Sequence, residues 1–244
     1  MGQHGEHGTL VRAAAILAAC LLAGVAQAQC RLALALALDV SSSVNGVEYD
    51  LQRRGLAAAL NSEDVRHAIL NGAPGDVALA VYEWSGRTQQ KLHLDWVPLR
   101  SASDIDRAVV TLAGMTRSFD EFPTAIGHGL AYGALLLQRA PDCARRVIDV
   151  SGDGRNNHGF GPRAAYRHFP MEGVTVNGLV IMGDQGDVLD YYHNQVKFGP
   201  AAFVEVANGF DDFEAAMTRK LYREISDLVI GTPRPEQSAP GPRG

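Results

Sequence analysis

The stretch Arg31-Leu-Ala-Leu-Ala-Leu-Ala-Leu-Asp39 constrains the fold more than any other part of the sequence. Leucine and alanine favour helix, so residue preference alone would read it as one. Its shortness and its abrupt end in Asp39-Val40-Ser41-Ser42-Ser43 argue instead for a strand covered on both faces. Such a strand needs helices on both sides of its sheet, which is the α/β architecture.

The rest of the pattern agrees. Glu48 to Leu60 reads as a helix, and Ser62, Glu63 and Asp64 open a shorter one to Leu70. Asp76 to Trp84 is a strand, Ser85-Gly86 a turn, and Gln89 to Leu94 a second strand, which together suit a hairpin. Ser103 is the expected cap of a helix from Asp104 to about Leu112, and Thr124 to Arg139 reads as another. Then follow a strand (Arg146 to Val150), a short helix opened by Pro162, a strand (Val174 to Met182) and a helix (Asp187 to Val196). A strand over Ala202 to Val206 and a closing amphipathic helix over Phe210 to Val229 complete the order. This predicts a doubly wound α/β fold. Its six-stranded sheet is mostly parallel, with one antiparallel edge strand and helices on both faces. Ligands bind such sheets beyond the carboxyl ends of the strands, where the strand order reverses. The loops after Asp39, near Thr124 and after Asp153 are therefore the places to look.

Composition narrows the function classes. At 46% apolar and 20% charged residues, 244 residues can bury a full core. The net charge of −5 argues against nucleic acid as a partner, because its binding needs a basic surface. The apolar run from Ala13 to Ala26, followed by Ala26-Gln27-Ala28, reads as a signal peptide over residues 1–28. The expectation is a chain beginning at Gln29 after cleavage, periplasmic or secreted, with no integral membrane segment left. Leu17-Ala18-Ala19-Cys20 offers lipidation at Cys20 as the competing reading, though the run stays apolar well past Cys20. Residues 29–230 are expected to form one domain. Residues 231–244, with four prolines and three glycines, are expected to form a disordered tail.

Three polar segments stand out. Asp39-x-Ser41-x-Ser43 places three oxygen-bearing side chains on one side of an extended segment. Thr124 follows Pro123 ahead of a helix, where its ordinary role would be an N-cap. Asp149-Val-Ser-Gly-Asp153-Gly154 runs a strand into a glycine-flanked acid, ordinarily just a turn. Taken together, these residues resemble the von Willebrand factor type A domain and its metal-ion-dependent adhesion site, from about Arg31 to Val229. Within that superfamily, CARRVIDVSGDGRNN and FPTAIG resemble a proteobacterial group of exported proteins of unknown function.

The resemblance implies that Ser41, Ser43 and Thr124 ligate an ion while Asp39 and Asp153 act largely through bound water. Five oxygen donors with no Cys or His suit Mg²⁺ best, with Mn²⁺ or Ca²⁺ as alternatives, rather than zinc. Two carboxylates against a dication would leave it electrophilic and open to an Asp or Glu of a protein partner, the family's usual mode. Ser42, Asp120, Glu121, Asn156 and Asn157 are candidate rim residues; for the two acids the ordinary reading is a solvated loop, and for the two amides a turn. In a type A domain the strands carrying Asp39 and Asp153 are parallel neighbours, which implies that Cys30 and Cys143 meet at the opposite end and form a disulfide.

Enzyme readings are weaker. The sequence has no G-x-S-x-G elbow and no G-x-x-x-x-G-K-[ST] loop. Asp39 and Asp153 could hold a catalytic ion for hydrolytic or phosphoryl chemistry, but Ser41 stands where a second carboxylate would be wanted. His128 would serve as a base only if it faced the cleft. A third reading is a structural envelope subunit with an idle metal site.

Overall fold

The computed structural model describes residues 30–183 and 186–226. The signal-peptide reading of 1–28, Cys20, the start at Gln29, the closing helix beyond 226 and the tail reading of 231–244 lie outside the described residues. Six strands form one sheet: β1 (Cys30–Asp39), β2 (Val77–Trp84), β3 (Gln90–Leu99), β4 (Cys143–Gly152), β5 (Val174–Ile181) and β6 (Val204–Ala207). Their spatial order is β3-β2-β1-β4-β5-β6. Only the β2–β3 pair is antiparallel, so the edge strand β3 is the one reversed element. The expected architecture is thus present, and the order reverses at β1, between β2 and β4.

The Leu–Ala alternation of β1 explains how the two faces are built. Leu32, Leu34, Leu36 and Leu38 point into one apolar layer and Ala33, Ala35 and Ala37 into the other. All seven are fully or almost fully buried. The leucine face is covered by α1 (Gly46–Asn61), α2 (Glu63–Asn71), α3 (Ala102–Ala113) and the closing α7 (Phe213–Ile225). Burying each of those leucines contributes about 2 kcal/mol. The alanine face leaves room for the large rings of Tyr82 and Trp84 from β2. These meet α4 (Ile126–Leu137) at its glycines: a Cβ on Gly133 would lie 2.5 Å from the Tyr82 hydroxyl oxygen. A side chain there would lift the helix off the sheet. The short helices α5 (Pro162–His168) and α6 (Val188–Tyr191) complete this face, α6 running on into a π-helical turn, Tyr192–Val196.

Several boundaries differ from the sequence reading. Ser101, not Ser103, caps α3: its hydroxyl accepts from the Asp104 amide, and Ser103 lies inside the helix. Both serines stand just ahead of an acid-rich turn, which is why spacing alone could not choose. β3 and β4 run longer than expected: beyond a register shift Val97, Pro98 and Leu99 pair again with β2, and the polar Arg145 pairs with Leu32 of β1. The closing helix starts as a 3₁₀ turn, Phe210–Asp212, before α7. Ser62 sits at the start of α2 but its hydroxyl donates back to the Ala59 carbonyl instead of capping.

Cys30 and Cys143 are register partners at the start of β1 and β4, with Cα atoms 4.4 Å apart, and form a disulfide. It closes the end of the sheet opposite Asp39 and Gly152. Beside it, the buried Arg31 donates to the carbonyls of Ala68, Ile69 and Ile225. One guanidinium therefore satisfies carbonyls at the carboxyl ends of both α2 and α7, where a cation is favoured by the helix dipoles.

Candidate metal centre

The site is built where β1 and β4 end side by side. Asp39 is the last residue of β1 and is fully buried. Its Oδ1 accepts from the Ser41 amide at 2.8 Å, which curls the chain into a tight turn. α1 follows at once, fixed by an Asn45–Glu48 capping box: Asn45 Oδ1 accepts from the Val47 and Glu48 amides, and Glu48 Oε2 accepts from the Asn45 amide. Gln52 of α1 donates to the Asp39 carbonyl at 3.1 Å.

The turn brings three hydroxyls and a second carboxylate into one chain of contacts. Thr124 Oγ1 lies 3.2 Å from Ser41 Oγ, Ser41 Oγ lies 3.1 Å from Ser43 Oγ, and Ser43 Oγ donates to Asp153 Oδ1 at 2.8 Å. Ser41 and Thr124 are buried, whereas Ser43 is exposed. Thr124 is not the helix cap that its position suggested: α4 begins at Ile126, Ala125 stands at the cap position, and the threonine hydroxyl turns to Ser41.

Electrostatics single out Asp39. Burial, then the nearby charge of Asp153, push its carboxyl up from the ordinary 3.8 to about 7, against the hydrogen bonds of Ser41 and the charge of Arg117. Burial also raises Asp153, opposed by its bond from Ser43. Asp39 Oδ2 is buried without a hydrogen-bond partner, and so is the Tyr192 hydroxyl. A Cβ on Gly152 would lie 2.8 Å from Asp39 Oδ2 and 2.7 Å from the Tyr192 hydroxyl. Glycine at 152 is what lets these two orphaned oxygens crowd the end of β4.

The donor set fits a hard dication. A buried carboxylate oxygen with no donor and a second carboxylate that raises its pKa form a place where positive charge would be welcome. Among the described residues, no three His, Cys, Asp or Glu side chains gather to hold an ion by themselves. An ion here would therefore depend on the hydroxyls as well as the two acids.

The candidate rim residues fall into two groups. Asn157 Oδ1 accepts from the Thr124 amide at 2.9 Å, and the Asn157 amide donates to the Thr124 carbonyl at 2.9 Å. Asn156 Oδ1 accepts from the Gly127 amide, at the start of α4. Both asparagines thus strap the loop after β4 to the Thr124 segment. Ser42 is exposed, and its amide donates to the Phe122 carbonyl. Asp120 and Glu121 are exposed on the same loop. His128 stacks on Phe160 with centroids 3.9 Å apart, and burial lowers its pKa; it is the packed histidine, with no bond to Ser41 or Ser43.

Spacing missed the supports. Arg117 Nη2 donates to the carbonyls of Val40 and Ser41, at 3.1 and 3.0 Å. The buried Glu83 accepts from the Tyr49 hydroxyl and the Ser118 amide and lies 3.1 Å from His93 Nε2. Burial would raise the Glu83 pKa, but these bonds hold it below its usual value. Together Arg117 and Glu83 tie the 115–124 segment to β1 and β2. A charged residue in the otherwise apolar VALAVYEW was the one available signal.

The sequence pattern of a family described as "Protein of unknown function (DUF1194)" matches residues 29–229. The chain belongs to that family. No curated protein matches it in sequence. Solved structures place this DUF1194 member among von Willebrand factor type A folds. A von Willebrand factor type A domain from Catenulispora acidiphila superposes with a TM-score of 0.54 at 14% identity, covering 81% of this chain and 42% of that one. Proximal thread matrix protein 1 from the mussel byssus, in a structure described as having a zinc-occupied MIDAS motif, gives 0.58 at 18% identity, over 81% of this chain and 46% of that one. The PilB minor pilin from Streptococcus sanguinis gives 0.58 at 13% identity, over 85% and 64%. The DUF1194 chain therefore spans less than two thirds of each, and at these identities the likeness establishes the fold.

Proposed function

We propose that this domain holds a divalent cation at Asp39, Ser41, Ser43, Thr124 and Asp153, and through the ion binds a carboxylate of a protein partner. The observation that carries the reading is the unbroken contact chain from Thr124 through Ser41 and Ser43 to Asp153, set beside the unpartnered Asp39 Oδ2. Mg²⁺ suits five hard oxygens best, with Mn²⁺ or Ca²⁺ as alternatives. The mussel protein's zinc-occupied motif makes zinc worth including in the test. The ion would supply an electrophilic position for an incoming Asp or Glu side chain. The disulfide supports an oxidising compartment, in keeping with a periplasmic or secreted protein. Among the described residues no helix is long and apolar enough to cross a membrane. The reading is of a binding module; His128, the histidine weighed as a base, packs on Phe160.

The test is calorimetric titration of the chain from Gln29 with Mg²⁺, Mn²⁺, Ca²⁺ and Zn²⁺, beside Asp39→Ala. Saturable binding by the wild type that the variant loses is the expected result. Absence of binding to any of the four at millimolar concentration, with or without an added carboxylate such as acetate, would overturn the reading and leave the fold intact.

A further inference from the structure

A cleft of about 600 Å³ opens directly against the proposed metal centre, sharing Ser43 and Asp153 with it. It runs between the first turns of α1 and the Gly209–Asp211 turn ahead of α7. Its lining divides into two chemistries. Leu51, Met182 and Phe210 give it an apolar wall, and Val47, 72% exposed, extends that wall outward. Glu48, Asp153 and Asp211 supply three carboxyl groups, and among the described residues no Lys or Arg lines the cleft. Asp211 is exposed and, among the described residues, forms no ion pair.

An acidic cleft repels the very group that the metal would attract. The carboxylate must therefore be delivered by a segment whose other side chains suit this surface. We infer that the partner presents its Asp or Glu next to an apolar side chain and, within about three residues, a Lys or Arg. The carboxylate goes to the ion, the apolar side chain to the Leu51–Met182–Phe210 wall, and the basic group to Glu48 and Asp211. Successive residues of an extended segment advance by roughly 3.3–3.6 Å, so three positions span about 10 Å. This inference rests on the metal-and-carboxylate reading above and names what gives it specificity. Complementary charge next to a shared anchor selects among partners more than it adds raw affinity.

The test is a peptide array with a fixed central Asp and every residue in turn at the three positions on each side, probed with the chain from Gln29 in Mg²⁺ or Mn²⁺. The expected result is metal-dependent binding, strengthened by an apolar and a basic residue on one side of the Asp. Asp211→Lys, in an exposed turn, should weaken the preference for Lys or Arg roughly two- to fivefold, the range of an exposed ion pair, while Asp-dependent binding persists. Val47→Glu, at an exposed position, should reduce the apolar preference without unfolding the domain. Metal-dependent binding to the Asp with no flanking preference, or with a preference for flanking acids, overturns this inference alone. Binding that needs neither metal nor the central Asp, or no binding to any peptide, brings down the metal-and-carboxylate reading and this inference with it.

Discussion

Asp39 carries the largest consequence of any single residue. Its carboxyl keeps its proton in the folded domain to about pH 7, whereas in the unfolded chain it releases it near 3.8. Between those values the folded state binds more protons than the unfolded one, so this group makes stability fall as pH rises. Without added metal, the melting temperature of wild type relative to Asp39→Asn should drop across pH 4 to 7, and a dication at pH 7.5 should recover it. A flat difference across that window would show that burial does not hold the proton on Asp39. The same residue was legible in the sequence through its D-x-S-x-S spacing, because that spacing is local, although Ser41 and Ser43 fall in a turn after β1 and not, as expected, on one side of an extended segment. Arg117, Gln52 and Tyr192 were not legible: each reaches the site from a distant segment, and nothing in its immediate sequence marks the contact. Thr124 was found for its position, yet its hydroxyl serves Ser41 instead of the helix start.

At the scale of elements, the sheet was read more reliably than the helix ends. The Leu–Ala alternation in β1 overrides helix propensity because each side chain is buried on one of two covered faces. Helix starts depend on a single hydroxyl, and Ser101 and Ser103 compete for that role on equal terms. α7 rests on a feature that only the fold reveals. Lys220 is wholly buried, with Nζ 2.8 Å from Asp149 Oδ1 and 2.7 Å from Glu224 Oε1, while Asn177 donates to Glu224 at 2.6 Å. Burial would lower the lysine pKa, but the two carboxylates raise it above its ordinary value. Removing the cation leaves two buried acids without their partner, so Lys220→Met should cost about 3–5 kcal/mol in urea unfolding. Replacing Lys220, Asp149 and Glu224 together by apolar residues should cost markedly less. A Lys220→Met loss below about 1 kcal/mol would mean that the cluster does not pin α7 to β4 and β5.

For the molecule as a whole, one crosslink joins the two central strands. The bridge closes 113 residues of chain, and in the chain-entropy model that contributes about 4–5 kcal/mol, often less in practice. Reduction should therefore lower the melting temperature by about 10 °C, read by calorimetry with and without reductant. A change of under 2 °C would place the stability elsewhere, in the two apolar layers. The crosslink was legible only through the fold: two cysteines nine and ten residues ahead of two site acids mean little until β1 and β4 are known to be parallel neighbours.

The bridge also decides how the domain bears mechanical load. β1 and β4 are joined covalently at one pole, and the proposed partner grips both at the other. A pull between residue 30 and the carboxyl end of α7 bypasses everything between Cys30 and Cys143. Stretched from those points, the oxidised domain should lengthen by about 400 Å less than the reduced one, since 113 residues at roughly 3.6 Å each stay locked. Pulled from those points, the segment from β1 to α4, which carries much of the leucine and alanine layers, stays out of the line of force.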